Sequence, residues 1–136
     1  MTRYLVVAHQ TADSPRLRQA VAQIARDDPE ASFTLLVPAT PVAHLASWTE
    51  GESQAVARRT GERARAALED DGVEVDSVIV GDRNPVLAVG DAFHHDSWDH
   101  VLVSTLPAGV SRWLRQDVVQ KLARSMTVPV THIAAE

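Results

Sequence analysis

Residues 101–133 of this chain read VLVSTLPAGVSRWLRQDVVQKLARSMTVPVTHI. The pattern predicts a buried strand over Val101–Ser104, a polar turn, an amphipathic helix capped by Ser111, and a last strand over Val128–Ile133. The inward row of that helix is predicted to be Leu114, Val118, Leu122 and Met126. A polar turn that leads into a helix is where α/β proteins usually bind ligands, so the stretch indicates both the fold class and the functional edge of the sheet.

The rest of the chain repeats this alternation of strand and helix. Further strands are predicted at Tyr4–Ala8, Ser32–Val37 and Val73–Val80, and helices are predicted to begin at Ser14–Pro15, Ser53 and Asn84–Pro85. Gly72 suits the left-handed position that ends a helix, and Pro129 marks the last strand as an edge strand. Right-handed crossovers then give an α/β fold, a doubly wound three-layer α/β/α sandwich. We expect a five-stranded parallel sheet of order 3-2-1-4-5 in a single domain over residues 1–136.

Composition excludes several classes of function. The formal net charge is −5 and Lys121 is the single lysine, which argues against a nucleic-acid-binding face. The chain has no cysteine, which excludes disulfides, thiolate metal sites and a cysteine nucleophile. The first apolar run is too short for a signal peptide and no window is long enough to span a membrane, so we expect a cytoplasmic protein with no membrane partner.

Three segments together resemble the universal stress protein family. They are YLVVAHQTADS at 4–14, VLVSTLPAGVSRWL at 101–114 and TVPVTHI at 127–133, and the likeness extends over nearly the whole chain. The resemblance implies a homodimer formed through the last strand, with Val128, Val130, His132 and Ile133 at the interface. An exposed edge strand with apolar side chains independently favours such a partner, although a helix or loop of the same chain could cover it instead.

The nucleotide motif of the resembled family is absent. ATP-binding members carry an Asp after the first strand and the pattern Gly, two residues, Gly, nine residues, Gly and Ser or Thr around the fourth strand. In the register set by VSRWL, the Asp position falls on His9, the glycine positions on Val103, Leu106 and Gln116, and the Ser/Thr position on Asp117. Side chains and a carboxylate would therefore stand where phosphates need bare backbone, so we expect a divergent branch that does not bind ATP in the family's usual way.

The two turns at the carboxyl edge supply the candidate ligand site. Hydroxyls, helix amides and guanidinium groups in the later turn could hold a phosphate, sulfate or carboxylate, and the first turn should face them; the alternative is an ordinary capped helix with solvated arginines. The candidate residues are His9, Gln10, Thr11, Asp13, Ser104, Thr105, Leu106, Gly109, Ser111, Arg112, Arg115, Gln116 and Asp117.

The role of His9 leaves three functions open. It could bind a ligand, act as a base, or satisfy backbone groups, and no nucleophile is apparent for it to activate. The preferred hypothesis is a non-enzymatic, small-ligand-binding or regulatory protein that takes a small anionic or polar ligand. One alternative is a hydrolase or transferase of a phosphorylated substrate, with His9 as base and Arg112 or Arg115 stabilising charge. The other is a dimeric interaction module whose crevice is filled by Leu106, Gln116 and Trp48.

Two further groups of residues are explained more simply by structural roles than by catalysis. His94, His95, Asp96, Asp99 and His100 resemble metal ligands, but such a short polar run is more typical of a solvated loop, so we expect no metal and no cofactor. Trp113 is expected to pack partly in the core, and Trp48 is a candidate lid in the long connection between the second strand and second helix. A receiver domain is disfavoured because it needs acidic residues after the first strand, where His9 and Gln10 stand. A flavodoxin-type protein is disfavoured because the first turn lacks a glycine and a dense set of hydroxyls.

Overall fold

A central parallel sheet organises the chain. The computed structural model describes residues 2–40, 50–107 and 111–135, with the backbone alone at positions 50, 112 and 115. The strands are β1 Arg3–Val7, β2 Ser32–Pro38, β3 Val75–Gly81, β4 His100–Thr105 and β5 Val130–Ala134, and the helices are α1 Pro15–Asp27, α2 Glu50–Asp70, α3 Pro85–His95, α4 Arg112–Arg115 and α5 Val118–Ser125.

The sheet has the predicted topology. Its five strands are all parallel, in the order β3-β2-β1-β4-β5, with helices on both faces. One core cluster joins the sheet to α1 and α2, and a second joins it to α3, α4 and α5. The doubly wound α/β prediction is therefore confirmed, and β5 is an edge strand as expected. Pro129 lies just before β5 rather than inside it.

Helix starts follow the caps that the sequence contains. The Ser14 hydroxyl accepts a hydrogen bond from the Leu17 N–H at 3.3 Å, and Asn84 Oδ1 accepts from the Val86 N–H at 3.0 Å. Gly72 has a φ of 85° and ends α2 in the left-handed region, as predicted. Gly61 in α2 faces β3, where a Cβ atom would lie 2.4 Å from Val78 Cγ1, so the close approach of helix and strand requires glycine there.

The last helix is broken, and the prediction of one continuous helix from Ser111 to Met126 is wrong. Asp117 has a φ of 55° and separates α4 from α5. In an unbroken helix Trp113 and Val118 would point about 140° apart, since each residue adds about 100°. The break allows both side chains to enter the same core cluster, where they are 7% and 2% exposed. The expected core packing of Trp113 is confirmed.

At the amino edge of the sheet, Arg3 links β1 to the segment that precedes β4. Its guanidinium makes two hydrogen bonds to the Asp96 carboxylate, at 2.7 and 2.9 Å, and its backbone N–H donates to Asp99 Oδ2 at 2.8 Å. The contact with Arg3 lowers the pKa of the Asp96 carboxyl to about 2. These two carboxylates of the histidine-rich stretch therefore bind an arginine. In the described part of the chain, no three His, Cys, Asp or Glu side chains are grouped as metal ligands would be.

None of the helices within residues 2–40, 50–107 and 111–135 combines the length and apolar character that crossing a bilayer requires.

The left-handed conformation of Asp117 gives a stability test. Asp117 is exposed, and its side chain makes no capping hydrogen bond. Asp117→Gly should raise the free energy of unfolding by roughly 0.5–1 kcal/mol, while Asp117→Ala should lower it by about 1 kcal/mol, because only glycine adopts this φ without strain. Urea denaturation measures both, with exposed Gln116→Ala expected within about 0.5 kcal/mol of wild type. A glycine variant less stable than the alanine variant would contradict the broken-helix geometry.

Candidate functional site

The candidate site lies at the carboxyl edge of the sheet, where β1 and β4 end side by side. After β1 the chain enters α1, whose Leu17 and Val21 belong to one core cluster. After β4 it enters α4 and α5, whose Trp113 and Val118 belong to the cluster on the opposite face. Neighbouring strands whose chains leave toward opposite faces open a crevice between them, which is the usual ligand position in this architecture.

A buried hydrogen bond joins the two turns that the sequence predicted to face each other. Thr11 Oγ1 and Ser104 Oγ are 2.6 Å apart, and both side chains are buried. The first turn is closed by the Ala12 N–H, which donates to the His9 carbonyl at 3.1 Å. The structure therefore brings His9 and Thr11 together with Ser104 at one edge, with Thr11 and Ser104 bonded to each other.

The Thr105 hydroxyl links β4 to the edge strand. It donates to the Leu106 carbonyl at 2.9 Å and lies 2.7 Å from His132 Nε2. A hydroxyl has a single proton, so Thr105 must accept from His132, which assigns the His132 proton to Nε2 and leaves Nδ1 as an acceptor. Thr105 thus has a structural role, since its proton and an acceptor position are already used.

Ser111 caps α4, as the sequence predicts. Its hydroxyl accepts from the Leu114 N–H at 3.2 Å, and its own N–H donates to the Pro107 carbonyl at 3.1 Å. All four hydroxyls of the candidate site, on Thr11, Ser104, Thr105 and Ser111, are buried and have protein partners. Burial keeps these hydroxyls from solvent, while the Ser111 proton and one proton of the Thr11–Ser104 pair have no acceptor among the described hydrogen bonds.

His9 differs from every other polar group at this edge. Its side chain is 6% exposed, and neither Nδ1 nor Nε2 has a hydrogen-bond partner in the described part of the chain. Burial lowers the pKa of the His9 imidazole below 6.5, because the charged form is poorly solvated there. Burial therefore favours the uncharged ring, which has one donor and one acceptor and no side-chain partner among the described residues.

The remaining candidate residues occupy different environments. Gln10, Asp13, Gln116 and Asp117 are exposed, and Leu106 is half-buried. Gly109 and the candidate lid Trp48 fall outside the described residues, as do the side chains of Arg112 and Arg115. At the β5 edge, His132 is exposed while Val128, Val130 and Ile133 are half-buried.

A second concave surface was not expected from the sequence. A groove of about 910 Å³ follows the free edge of β3, between α3 and the amino end of α2. Its floor includes Thr34 and Ser77, two small polar residues in strands of the sheet. Such residues within otherwise apolar strands are the signal that could have indicated an incompletely covered face.

Comparison with known proteins identifies the fold. No protein-family model matches this sequence, and no curated protein is detectably similar to it. Among solved structures, it is similar to the universal stress protein from Archaeoglobus fulgidus in complex with dAMP, with a TM-score of 0.65, 14% identity and coverage of 98% of this chain and 97% of that one.

Two further structures give the same result. A universal stress protein in complex with cAMP has a TM-score of 0.64 and 17% identity, with 99% of this chain and 98% of that chain covered. A universal stress protein family protein from Arabidopsis thaliana with AMP bound has a TM-score of 0.60 and 15% identity, with 100% and 93% covered. At such low identity the likeness concerns the fold, and this chain has the fold of the universal stress proteins.

Proposed function

We propose that this protein is a non-enzymatic, small-ligand-binding regulatory protein, and that its ligand contacts His9 at the carboxyl edge of β1 and β4. The observation that carries the proposal is the buried imidazole, whose two nitrogens have no partner among the residues that the structure describes. Native proteins leave few buried polar groups without a partner, and each such group costs about 1–3 kcal/mol. A ligand that supplies one acceptor and one donor would remove that cost on binding.

The uncharged state of His9 restricts the chemistry of the ligand. A neutral imidazole does not attract an anion by charge, so the group that meets His9 should itself be neutral and present a donor beside an acceptor. A nucleobase edge or a carboxamide has this arrangement. The structural neighbours were solved with dAMP, cAMP and AMP, which supports a ligand of nucleoside monophosphate size. Any phosphate of such a ligand would lie away from the imidazole.

The residues at the missing motif positions support the expectation that ATP is not bound in the family's usual way. Val103 is 0% exposed and packs in a core cluster within β4. Leu106 is half-buried just after β4, and Asp117 directs a carboxylate into solvent at the start of α5. A triphosphate following that path would meet an apolar side chain and then a negative charge.

Two alternatives have less support. A hydrolase or transferase with a protein nucleophile would need His9 to activate a hydroxyl, but the nearby Thr11 and Ser104 bond each other and neither bonds His9. For an interaction module with a filled crevice, Gln116 would pack inward, yet its side chain is exposed. A phosphate-release assay that shows turnover lost in His9→Ala would restore the enzymatic hypothesis.

Replacing the imidazole by an apolar side chain should separate stability from binding. His9→Leu removes two unsatisfied buried nitrogens, so we expect the free energy of unfolding to rise by about 1–3 kcal/mol in urea. The same variant should lose the increase in Tm that AMP, dAMP or cAMP produces in the wild-type protein, because the donor and acceptor are gone.

The matched control for this experiment is His94→Leu. His94 is exposed on α3, so its variant should keep the ligand-induced increase in Tm and stay within about 0.5 kcal/mol of the wild-type stability. Binding that survives unchanged in His9→Leu, or a wild-type protein that responds to none of the three nucleotides, would contradict the proposed function.

We propose in addition that two copies pair through β5. The Val101 N–H donates to the Pro129 carbonyl and the Ala135 N–H to the Thr105 carbonyl, both at 2.9 Å. Successive residues of a strand direct their backbone N–H and C=O groups to opposite sides. The odd-numbered residues from 129 to 135 therefore direct these groups toward β4. The backbone groups of Val130, His132 and Ala134 therefore face the free edge.

An antiparallel two-fold pairing centred on His132 uses this edge most fully. Residue 132 would pair with its counterpart, and residue 130 with residue 134 of the second copy, which forms about six backbone hydrogen bonds. Two-fold pairing is the commonest way in which soluble proteins cover such an edge. Val130 and Ile133, half-buried in one copy, would lose further solvent exposure.

The central backbone donor of β5 provides the test of this pairing. His132→Pro removes an outward N–H without taking a hydrogen bond from the β4 ladder, so sedimentation should change from dimer to monomer. His132→Asn keeps that N–H and should remain dimeric. Far-UV circular dichroism checks that both variants fold. A wild-type protein that sediments as a monomer of 14.8 kDa at about 100 µM would contradict the proposal.

A further inference from the structure

The groove along β3 is a second binding surface, independent of His9. It extends from Arg3 and Trp98 at the amino edge of the sheet, past Ser77 and Ile79, to Asp82 and Arg83 beyond the carboxyl end of β3. Its volume of about 910 Å³ is close to the upper limit for small-molecule pockets, roughly 1,000 Å³. Because it follows a seven-residue strand, about 23 Å long, an elongated occupant fits it better than a compact one.

The backbone of β3 offers unpaired groups to such an occupant. The Ala39 N–H donates to the Gly81 carbonyl at 3.0 Å, so Gly81 faces β2, and by alternation Ile79 and Ser77 do as well. Val78 and Val80 therefore direct their N–H and C=O groups away from the sheet. The pairing of β3 with β2 shifts register between Phe33 and Thr34, at the amino end of β3. The regular part of the free edge is therefore confined to residues 77–81.

The free edge lacks the usual protection against strand addition. Residues 77–81 contain neither proline nor a charged side chain, and Val78 and Val80 are only half-buried. Natural proteins normally place lysine, proline or a covering element on such an edge. A half-buried edge strand with neither proline nor a charged side chain is suited to pair with an extended segment of another chain.

The charges of the groove specify the kind of segment. Among the described residues, the groove is lined by the carboxylates of Asp76, Asp82, Asp91 and Asp96 and by the guanidinium groups of Arg3 and Arg83. His95, which is exposed, also lines the groove. The groove thus carries a negative surplus that complements lysine or arginine side chains.

The amino end of the groove contains an unsatisfied donor. Trp98 lines the groove at 5% exposure, and its buried indole N–H has no hydrogen-bond partner in the part of the chain that the structure describes. The ring is held by Phe93, whose centroid is 5.3 Å away, and by the Arg3 guanidinium at 5.4 Å. Because β2 and β1 lie between β3 and β4, this end of the groove is separated from the free edge of β3, and the indole takes no part in strand addition there.

We propose that the β3 groove binds a basic, extended peptide segment of a partner protein by strand addition to Val78 and Val80. The main chain of the peptide pairs with the free edge, and its alternate basic side chains face Asp76 and Asp91. Binding of this kind needs neither the His9 site nor the β5 edge, so its success or failure is separate from the function proposed above.

A blocked heptapeptide of alternating lysine and valine is the probe for this proposal. Added to the ¹⁵N-labelled full chain at low salt, it should slow hydrogen exchange of the Val78 and Val80 amides. Exchange at Ile79 should change little, because its N–H already faces β2 and serves as an internal control. A peptide of alternating glutamate and valine, or the basic peptide with every amide N-methylated, should not produce this effect.

Charge reversal in the groove provides the second arm. Asp91→Lys should weaken binding of the basic peptide about tenfold, since an attraction between exposed charges becomes a repulsion. Asp70→Lys at the exposed end of α2 lies outside the groove and is the matched control. Unchanged hydrogen exchange at Val78 and Val80 with saturating peptide would overturn the proposal. Protection of these two amides that increases with protein concentration in the absence of peptide would also overturn it, because a second copy of the chain would then occupy the edge.

Discussion

A strand that is buried on both faces has to end inside the protein, and β1 is such a strand. Leu5, Val6 and Val7 have no exposed surface, and β1 lies between β2 and β4 at the centre of the sheet. The next polar side chain, His9, follows before the chain has reached solvent. The two core clusters and the crevice between β1 and β4 depend on this burial of β1. The uncharged state of His9 depends on it too, because an imidazole near solvent would satisfy its nitrogens with water.

Unlike His9, other buried polar side chains of the carboxyl edge have hydrogen-bond partners. Thr11 with Ser104, and Thr105 with His132, form closed pairs that connect turns and strands. Such pairs hold the crevice in place, and among the described residues the His9 imidazole is the buried ring at this edge without a partner. A site of this kind selects a ligand by matching one donor and one acceptor rather than by total charge, so a close analogue that lacks either group should be rejected.

The sheet has two free edges, and they present different surfaces. β5 offers three outward backbone positions in a short strand with His132 at its midpoint, which suits self-pairing about a two-fold axis. β3 offers an irregular start, a polar groove and a negative surplus, which suit a segment with another sequence. One fold can therefore combine a ligand site at the carboxyl edge with a self-associating edge and a partner-binding edge.

Much of this architecture was predictable from local patterns, and the rest depends on tertiary contacts. Apolar runs indicated each strand to within two residues. Ser14 and Asn84 marked helix starts through side-chain oxygens that accept hydrogen bonds from backbone N–H groups, and Gly72 marked a helix end through its positive φ. The break at Asp117 was missed because it arises when Trp113 and Val118 must enter one core, which no local window contains. Sequence suggested His9 as a site residue, but its burial and empty hydrogen-bonding positions depend on the packing around β1. The β3 groove reflects space that small side chains leave unfilled, which has no periodic pattern.

The state of the His9 ring tests the central claim most directly. In protein labelled with ¹⁵N at histidine, the two ring nitrogens can be followed from pH 7.5 to 5.5 without ligand, and at pH 7 during addition of AMP. The account predicts that His9 keeps one protonated and one bare nitrogen to a lower pH than a solvent-exposed histidine does, because burial lowers the pKa of His9, and that both signals change as AMP binds. A His9 imidazolium at pH 7, or ring signals that saturating AMP leaves unchanged, would contradict it.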